Sequence, residues 1–405
     1  MRILQINKYY YLRGGSERYF FELSELLKKN GHEVIPFSME NKRNGKTRYA
    51  KYFIREVNLN KFNLINIIKY FNNYEAVGKL KKLLSEEKID LAHFHNISGQ
   101  ISPAIIKVLK KHNIPVVMTL HDYKLICPNA MLFTNGKVCH RCLGGKYYNC
   151  FLNRCNHNSI LKSFIGMTEA YLNNKCLKSY KQINLFISPS QYLKNIYLKF
   201  GFSEEKIFVI PNFIDQSKFK IKNEKTENYL LYFGRLSKEK GIDTLIEAMA
   251  KLNTDLKLKI VGEGTEFENY ELRIKNYGLS NKVQLTGAKY GDDLMDLVKN
   301  AKAVIIPSIW EENMPYSLLE SLAYGKVLIA SAIGGIKEII KDNKNGLLFK
   351  PKDSSDLAKK IVKLGKIDTK TISERTRATI LKFNSENHYS KINKLYNNLI
   401  LANIK

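Results

Sequence analysis

The chain has 405 residues, 44% hydrophobic and 26% charged, a balance that excludes a disordered or fibrous protein. That length exceeds one ordinary core and predicts two domains of about 200 residues, and no window approaches the roughly 18 uninterrupted apolar residues of a membrane-spanning helix. The formal net charge of +28 points to an anionic partner, whether nucleic acid, acidic lipid or a phosphorylated substrate, although a merely solvated basic surface explains scattered lysines equally well.

The excess leans towards the first half. Residues 1–215 carry 33 basic against 15 acidic side chains, and residues 216–405 carry 33 against 23. The chain opens on a strand over residues 2–6 with no long apolar core before it, which argues against a signal peptide and for a cytoplasmic protein. Tyr11-Leu12-Arg13-Gly14-Gly15-Ser16-Glu17 follows. Paired glycines there let backbone approach a phosphate or a sugar, while a plain turn with Ser16 as helix N-cap accounts for them as well. A helix over 16–30 and a strand over 33–37 come next. Residues 40–75 read as basic, aromatic and irregular, followed by a helix at 79–88, a strand at 91–94 and a helix at 103–112.

The β-branched run 115–120 predicts a buried strand ending in Thr119-Leu120-His121-Asp122-Tyr123. A histidine at a strand's carboxyl end can hydrogen-bond a sugar hydroxyl or support a developing charge. His121 is the better placed of several, with His93 and His95 at another strand's end; a structural role is the competing reading. Five of the six cysteines then fall within an insert at about 127–157. Cys139, Cys142, Cys150 and Cys155, with Cys127 as a substitute, could hold a tetrahedral structural zinc, or remain reduced thiols in a loop-rich insert. Cys176, standing alone, reads as a core residue.

A helix over 163–179, strand 185–188, helix 191–200 and strand 207–210 complete the first half, and Pro211 opens a polar linker over 212–228. In the second half strands at 229–233, 256–261, 283–286, 303–306, 327–330 and 346–349 alternate with helices, which implies a second parallel sheet. The fold class is thus α/β, with two Rossmann-like doubly wound parallel-sheet domains and ligands in a central cleft at the strands' carboxyl ends.

Three motifs lie at such ends. In Phe233-Gly234-Arg235-Leu236-Ser237-Lys238-Glu239-Lys240-Gly241, Arg235 and Lys240 can converge on a diphosphate, or they flank a solvated turn. Val261-Gly262-Glu263-Gly264 is a glycine turn that suits either a nucleobase or close backbone packing. Pro307-Ser308-Ile309-Trp310-Glu311-Glu312-Asn313-Met314-Pro315-Tyr316-Ser317-Leu318-Leu319-Glu320 sets Glu312 and Glu320 eight positions apart across a strand-to-helix junction. Carboxylates that accept hydroxyl hydrogen bonds, beside helix-start amides that bind phosphate, describe a sugar-nucleotide pocket. No D-x-D triplet and no P-loop occur.

Taken in order, these segments resemble glycosyltransferase family 4, the retaining GT-B transferases, over nearly the whole chain; Pro189-Ser190 and Pro211-Asn212-Phe213-Ile214-Asp215 add to the match. The resemblance implies an acceptor-side domain over 1–212, a nucleotide-sugar domain over 213–384, and a terminal helix over 385–405 packing back on the first domain. It implies that Arg235 and Lys240 hold the donor diphosphate. Glu312 meets the donor sugar, Glu320 the ribose, and Asn313, Met314, Pro315 and Tyr316 supply backbone donors. Gly15, Gly262 and His121 border the donor. The family's usual E-G-F-G is here Glu312-Asn313-Met314-Pro315, so the loop does not name the sugar, and the cysteine insert lies outside the general pattern.

The implied reaction is metal-independent transfer, with retention, from a UDP- or GDP-sugar to a hydroxyl acceptor in cell-surface glycan synthesis. It needs no catalytic cofactor. The acceptor is read as a lipid-linked or polysaccharide intermediate, with an anionic membrane surface as partner and no specific nucleic acid. The alternatives are a nucleotide-sugar epimerase of the same fold and, remotely, a basic nucleic-acid-binding protein.

Overall fold

In the computed structural model, residues 1–57, 64–219 and 226–404 are described. The chain divides into two compact units, one of residues 1–132, 140–212 and 386–405, the other of residues 133–139 and 213–385.

The strands in chain order are β1 (Arg2–Ile6), β2 (Glu33–Phe37), β3 (Leu91–Phe94), β4 (Val116–Thr119), β5 (Phe133–Thr134), β6 (Lys137–Val138), β7 (Leu185–Ser188), β8 (Ile207–Val209), β9 (Tyr229–Phe233), β10 (Lys257–Val261), β11 (Val283–Leu285), β12 (Ala303–Ile306), β13 (Leu328–Ser331) and β14 (Leu347–Phe349). The first unit carries a parallel sheet of order β2-β1-β3-β4-β7-β8 and the second one of order β11-β10-β9-β12-β13-β14. Strands such as Leu91–Phe94 and Ala303–Ile306 are buried at every position, as expected of parallel strands covered by helices on both faces. The doubly wound class read from the sequence is borne out.

Each sheet reverses its winding at one place. In the first the chain winds outward from β1 to β2 and returns beyond β1 with β3; in the second it runs β9, β10, β11 and returns beside β9 with β12. Loops after such neighbouring strands splay to opposite faces and leave a crevice at their carboxyl ends.

The terminal helix, Ser385–Ile404, supplies side chains to the first unit. His388 Nε2 lies 3.1 Å from the Tyr19 hydroxyl and its Nδ1 2.9 Å from the Pro211 carbonyl oxygen. Tyr396, fully buried, lies 2.5 Å from His93 Nδ1.

Two expectations need correction. Residues 40–75 are not irregular throughout: Leu64–Phe71 is helical and a second helix starts at Tyr74. The β-branched isoleucines of Leu-Ile-Asn-Ile-Ile weaken any helical signal there. Cys176 is exposed instead of lying in the core, because the helix Ile160–Tyr171 gives way to a π turn that carries residue 176 to the surface. Part of the predicted linker, residues 220–225, lies outside the described residues.

Candidate active site

The second unit gathers the side chains read from the sequence as a candidate site at the β9/β12 reversal. After β9, Gly241 adopts φ +69 and passes so close to the next loop that a Cβ would meet the Pro307 carbonyl oxygen at 2.1 Å. Ile309 N then donates to Glu239 O at 2.9 Å. This contact brings Lys240 onto the loop after β12, where its Nζ donates to Glu312 Oε1 at 2.6 Å and lies 5.4 Å from the Trp310 ring centre. Ser308 Oγ donates to the same oxygen at 2.6 Å. Burial alone would raise the Glu312 pKa; the Lys240 charge, with hydrogen bonds from Lys240 and Ser308, outweighs it, so the net shift is downward. The result is a buried carboxylate held ionised.

The loop after β13 completes the cradle. Gly335 N donates to Glu312 O at 2.7 Å, and a Cβ on Gly334 (φ +55) would lie 2.3 Å from that oxygen. Asn313 and Met314 are buried, and the helix Tyr316–Ala323 starts directly after Pro315 with Glu320 buried within it. Glu312 and Glu320 therefore flank the start of one helix, as the spacing predicted.

Arg235 stands apart from this carboxylate. Its NH2 donates to Glu239 Oε1 at 2.9 Å and its side chain is 62% exposed, available to an anion in solvent. Glu239 is held in place by Ser237 Oγ at 2.6 Å. Gly262 has a packing duty: at φ +150 a Cβ would sit 1.9 Å from the Gly234 carbonyl oxygen, and Leu236 N bonds Glu263 O at 2.9 Å. The two glycine loops interlock, which accounts for the G-x-G on backbone grounds.

The first unit forms its own site at the β1/β3 reversal. A cavity of about 530 Å³ is lined by Lys8 and Tyr9 after β1, Asn96 and Ser98 after β3, and His121 and Asp122 after β4. Burial pushes the Lys8 ammonium down and the Asp122 carboxyl up, each tempered by the other's charge. Asp122 Oδ1 accepts from Lys124 N at 2.8 Å. His121 Nε2 lies 3.0 Å from His95 Nδ1, and His95 stacks on His93 at 4.5 Å. His93 in turn reaches Thr119 Oγ1 at 2.7 Å. Burial holds His93, His121 and His388 down at about 3, so His121 faces the cavity as a neutral imidazole. It can donate or accept one hydrogen bond but carries no charge at neutral pH.

Gly15 is the first residue of the helix Gly15–Lys29, and Ser16 does not cap it; its Oγ donates to Glu17 Oε1 at 3.0 Å. The N-cap reading of Ser16 is thereby corrected.

The zinc expectation is not sustained. Among the described residues no three or more His, Cys, Asp or Glu side chains gather in a group able to hold a metal ion. Cys142 packs in an apolar cluster with Tyr147 and Ala170, and Cys127 Sγ donates to Asn129 Oδ1 at 2.9 Å. Cys150 is pushed up by its hydrogen bond with Cys155 and by burial, which favours thiol over the thiolate a metal requires.

Sequence reasoning missed Ser308, Trp310 and Glu239, which position the predicted residues, and Lys8 and Asp122 in the cavity. Ser308 lies four residues before Glu312 on the same loop, a spacing that was readable. The Lys8 position carried no comparable signal.

Two family models together match nearly the whole chain: Glycosyltransferase Family 4 over residues 13–218 and Glycosyl transferases group 1 over residues 213–378. A 42.6 kDa protein of the cps region of Klebsiella pneumoniae is 27% identical over 84% of this chain and 87% of its own length. The crystal structure of a glycosyltransferase from Rickettsia africae superposes with a TM-score of 0.72 at 21% identity, covering 98% of both chains. HepE of Anabaena in complex with UDP-glucose superposes with a TM-score of 0.66 at 19% identity, covering 98% of this chain and 100% of that one. The likeness identifies the fold as GT-B. Among the described residues no helix is long and apolar enough to cross a membrane.

Proposed function

The chain belongs to glycosyltransferase family 4, and from that premise we propose that it transfers a sugar, with retention, from a nucleotide-diphosphate sugar to a hydroxyl of a lipid-linked or polysaccharide acceptor. The observation that carries this reading is Glu312, a buried carboxylate kept ionised by Lys240 and Ser308 beside the start of the helix that bears Glu320. Glu312 accepts hydrogen bonds from the donor sugar, Glu320 from the ribose, and Asn313, Met314, Pro315 and Tyr316 present backbone to sugar and phosphate. Arg235 and Lys240 offset the diphosphate charge, so no divalent metal is needed. Gly262 keeps the base-side loop close, and Gly15 lets a ligand approach the start of the first unit's helix Gly15–Lys29.

The acceptor enters the cavity of the first unit. Asp122 and Asn96 orient its hydroxyls, and neutral His121 hydrogen-bonds the donor sugar. The departing diphosphate takes the acceptor proton. A UDP-sugar donor is supported by the UDP-glucose bound to HepE, and a role in cell-surface glycan assembly by the relative from a cps region. The enzyme acts in the cytoplasm at the inner membrane face.

Incubation with a panel of UDP- and GDP-sugars, with and without an extract of lipid-linked acceptors, tests this. Acceptor-dependent release of nucleoside diphosphate is expected. An epimerised donor formed without acceptor would establish the epimerase instead.

A further inference from the structure

We propose that the exposed face of the helical pair Tyr148–Leu152 and Ile160–Tyr171 docks the first unit on an anionic bilayer. The two helices pack together with Phe151 and Phe164 in edge contact at 5.9 Å. Their outer face leaves large apolar side chains in water: Leu152 at 67% exposure, Ile160 at 51%, Leu161 at 47% and Phe164 at 48%. A soluble surface rarely clusters such residues without a partner for them.

The charge of the same segment names the partner. From residue 140 to 181 the chain carries seven lysines and arginines and a single acid, Glu169. Glu169 is buried, paired with Lys124 Nζ at 2.9 Å and hydrogen-bonded by Asn173 at 3.0 Å, so it gives the surface no negative charge. Arg141, Lys146, Arg154 and Lys178 are exposed. Nucleic acid would match the charge but not the aliphatic crest; cations around protruding Leu, Ile and Phe fit an anionic headgroup layer with its acyl boundary beneath.

The placement suits the proposed chemistry without depending on it. Lys162 and Ile165 of the same helix line the cavity of about 530 Å³. A bilayer touched by Leu161 and Phe164 would therefore lie about one helix diameter, ~10 Å, from the proposed acceptor cavity. The headgroup of a lipid-linked acceptor could enter that cavity while its tail stays in the membrane.

The test is co-sedimentation of the full chain with phosphatidylcholine vesicles, with and without phosphatidylglycerol, at low and high salt. Binding should require the anionic lipid and weaken as salt rises. The double variant Leu161→Ser/Phe164→Ser should lose about tenfold or more in vesicle partition. Lys146→Gln and Arg154→Gln, both at exposed positions, should each lose about fivefold. Donor hydrolysis by all of these should match that of the unaltered chain. Equal binding to neutral vesicles, variants that bind as tightly as the parent, or binding to nucleic acid but not to vesicles would overturn the proposal. Vesicle binding by a chain that releases no nucleoside diphosphate from any donor in the presence of the lipid-linked acceptor extract would refute the transferase reading and leave the docking surface standing.

Discussion

Removing both partners of the Lys240–Glu312 pair should cost less than the two single losses added together. At 2.6 Å and an effective dielectric constant near 20, the gross attraction is about 6 kcal/mol. The Glu312 side chain is only 6% exposed, so Lys240→Met strands a buried carboxylate and should destabilise the second unit by about 3 kcal/mol. Lys240 is 18% exposed and lies near the Trp310 ring, so Glu312→Gln leaves a cation that can turn to water, and its cost should be smaller, about 2 kcal/mol. The double variant buries no unpaired charge and should cost only about 2 kcal/mol, a coupling of about 3 kcal/mol. Denaturant titration of the four proteins gives the cycle directly, and Lys240→Met should lower Tm by roughly 6–12 °C. All three variants should also bind nucleotide sugar poorly. If the two single costs add in the double variant to within about 0.5 kcal/mol, the pair does not hold Glu312 ionised and the reasoning fails.

The remaining predictions concern the frame of the two sites. His93, His121 and His388 sit at about 3 in the folded chain against about 6.5 unfolded. Their neutral burial therefore stabilises fully above pH 6.5 and loses ground as pH falls below it. By pH 5 each should have lost roughly 2 kcal/mol, and His388→Asn should flatten the measured stability slope by close to one proton; a stability unchanged between pH 7.5 and 5 would contradict this. Gly262→Ala should cost about 3 kcal/mol or more, because its Cβ would meet the Gly234 carbonyl oxygen at 1.9 Å in a strained conformation; a melt matching the parent protein would disprove the interlock. Ser308→Ala should cost about 2 kcal/mol through the lost bond to the Glu312 carboxylate, and an unchanged Tm would remove Ser308 from the site.

Much of the fold was readable because buried parallel strands write themselves as short apolar runs. Leu91–Phe94, Leu185–Ser188 and Ala303–Ile306 were predicted to the residue. The helix Leu64–Phe71 was not, since isoleucines that favour strands were overridden by packing. In the second unit Glu312, Glu320, Lys240 and Arg235 were legible because they share short segments with strand ends and helix starts. Their supports were not: Glu239 and Gly334 act through backbone and side-chain contacts made only when loops from different strands meet. The histidine array joins residues 93, 95 and 121, Tyr19 links it to His388, and no local pattern announces a partnership across 295 positions. The cysteine insert misled for a related reason. Knuckle spacing suggests a ligand set, whereas the folded segment places Cys142 among apolar side chains and Cys127 against an asparagine.

The central claim is that Glu312 serves the transferred sugar and Glu320 the nucleotide, and one calorimetric comparison tests it most directly. A nucleoside diphosphate and the corresponding nucleotide sugar are titrated into the parent protein, Glu312→Ala and Glu320→Ala. Glu312→Ala should bind the free diphosphate normally and lose only the added affinity for the sugar, while Glu320→Ala should weaken both by about tenfold or more. Equal losses for the two ligands in Glu312→Ala, or unchanged affinities in both variants, would contradict the account.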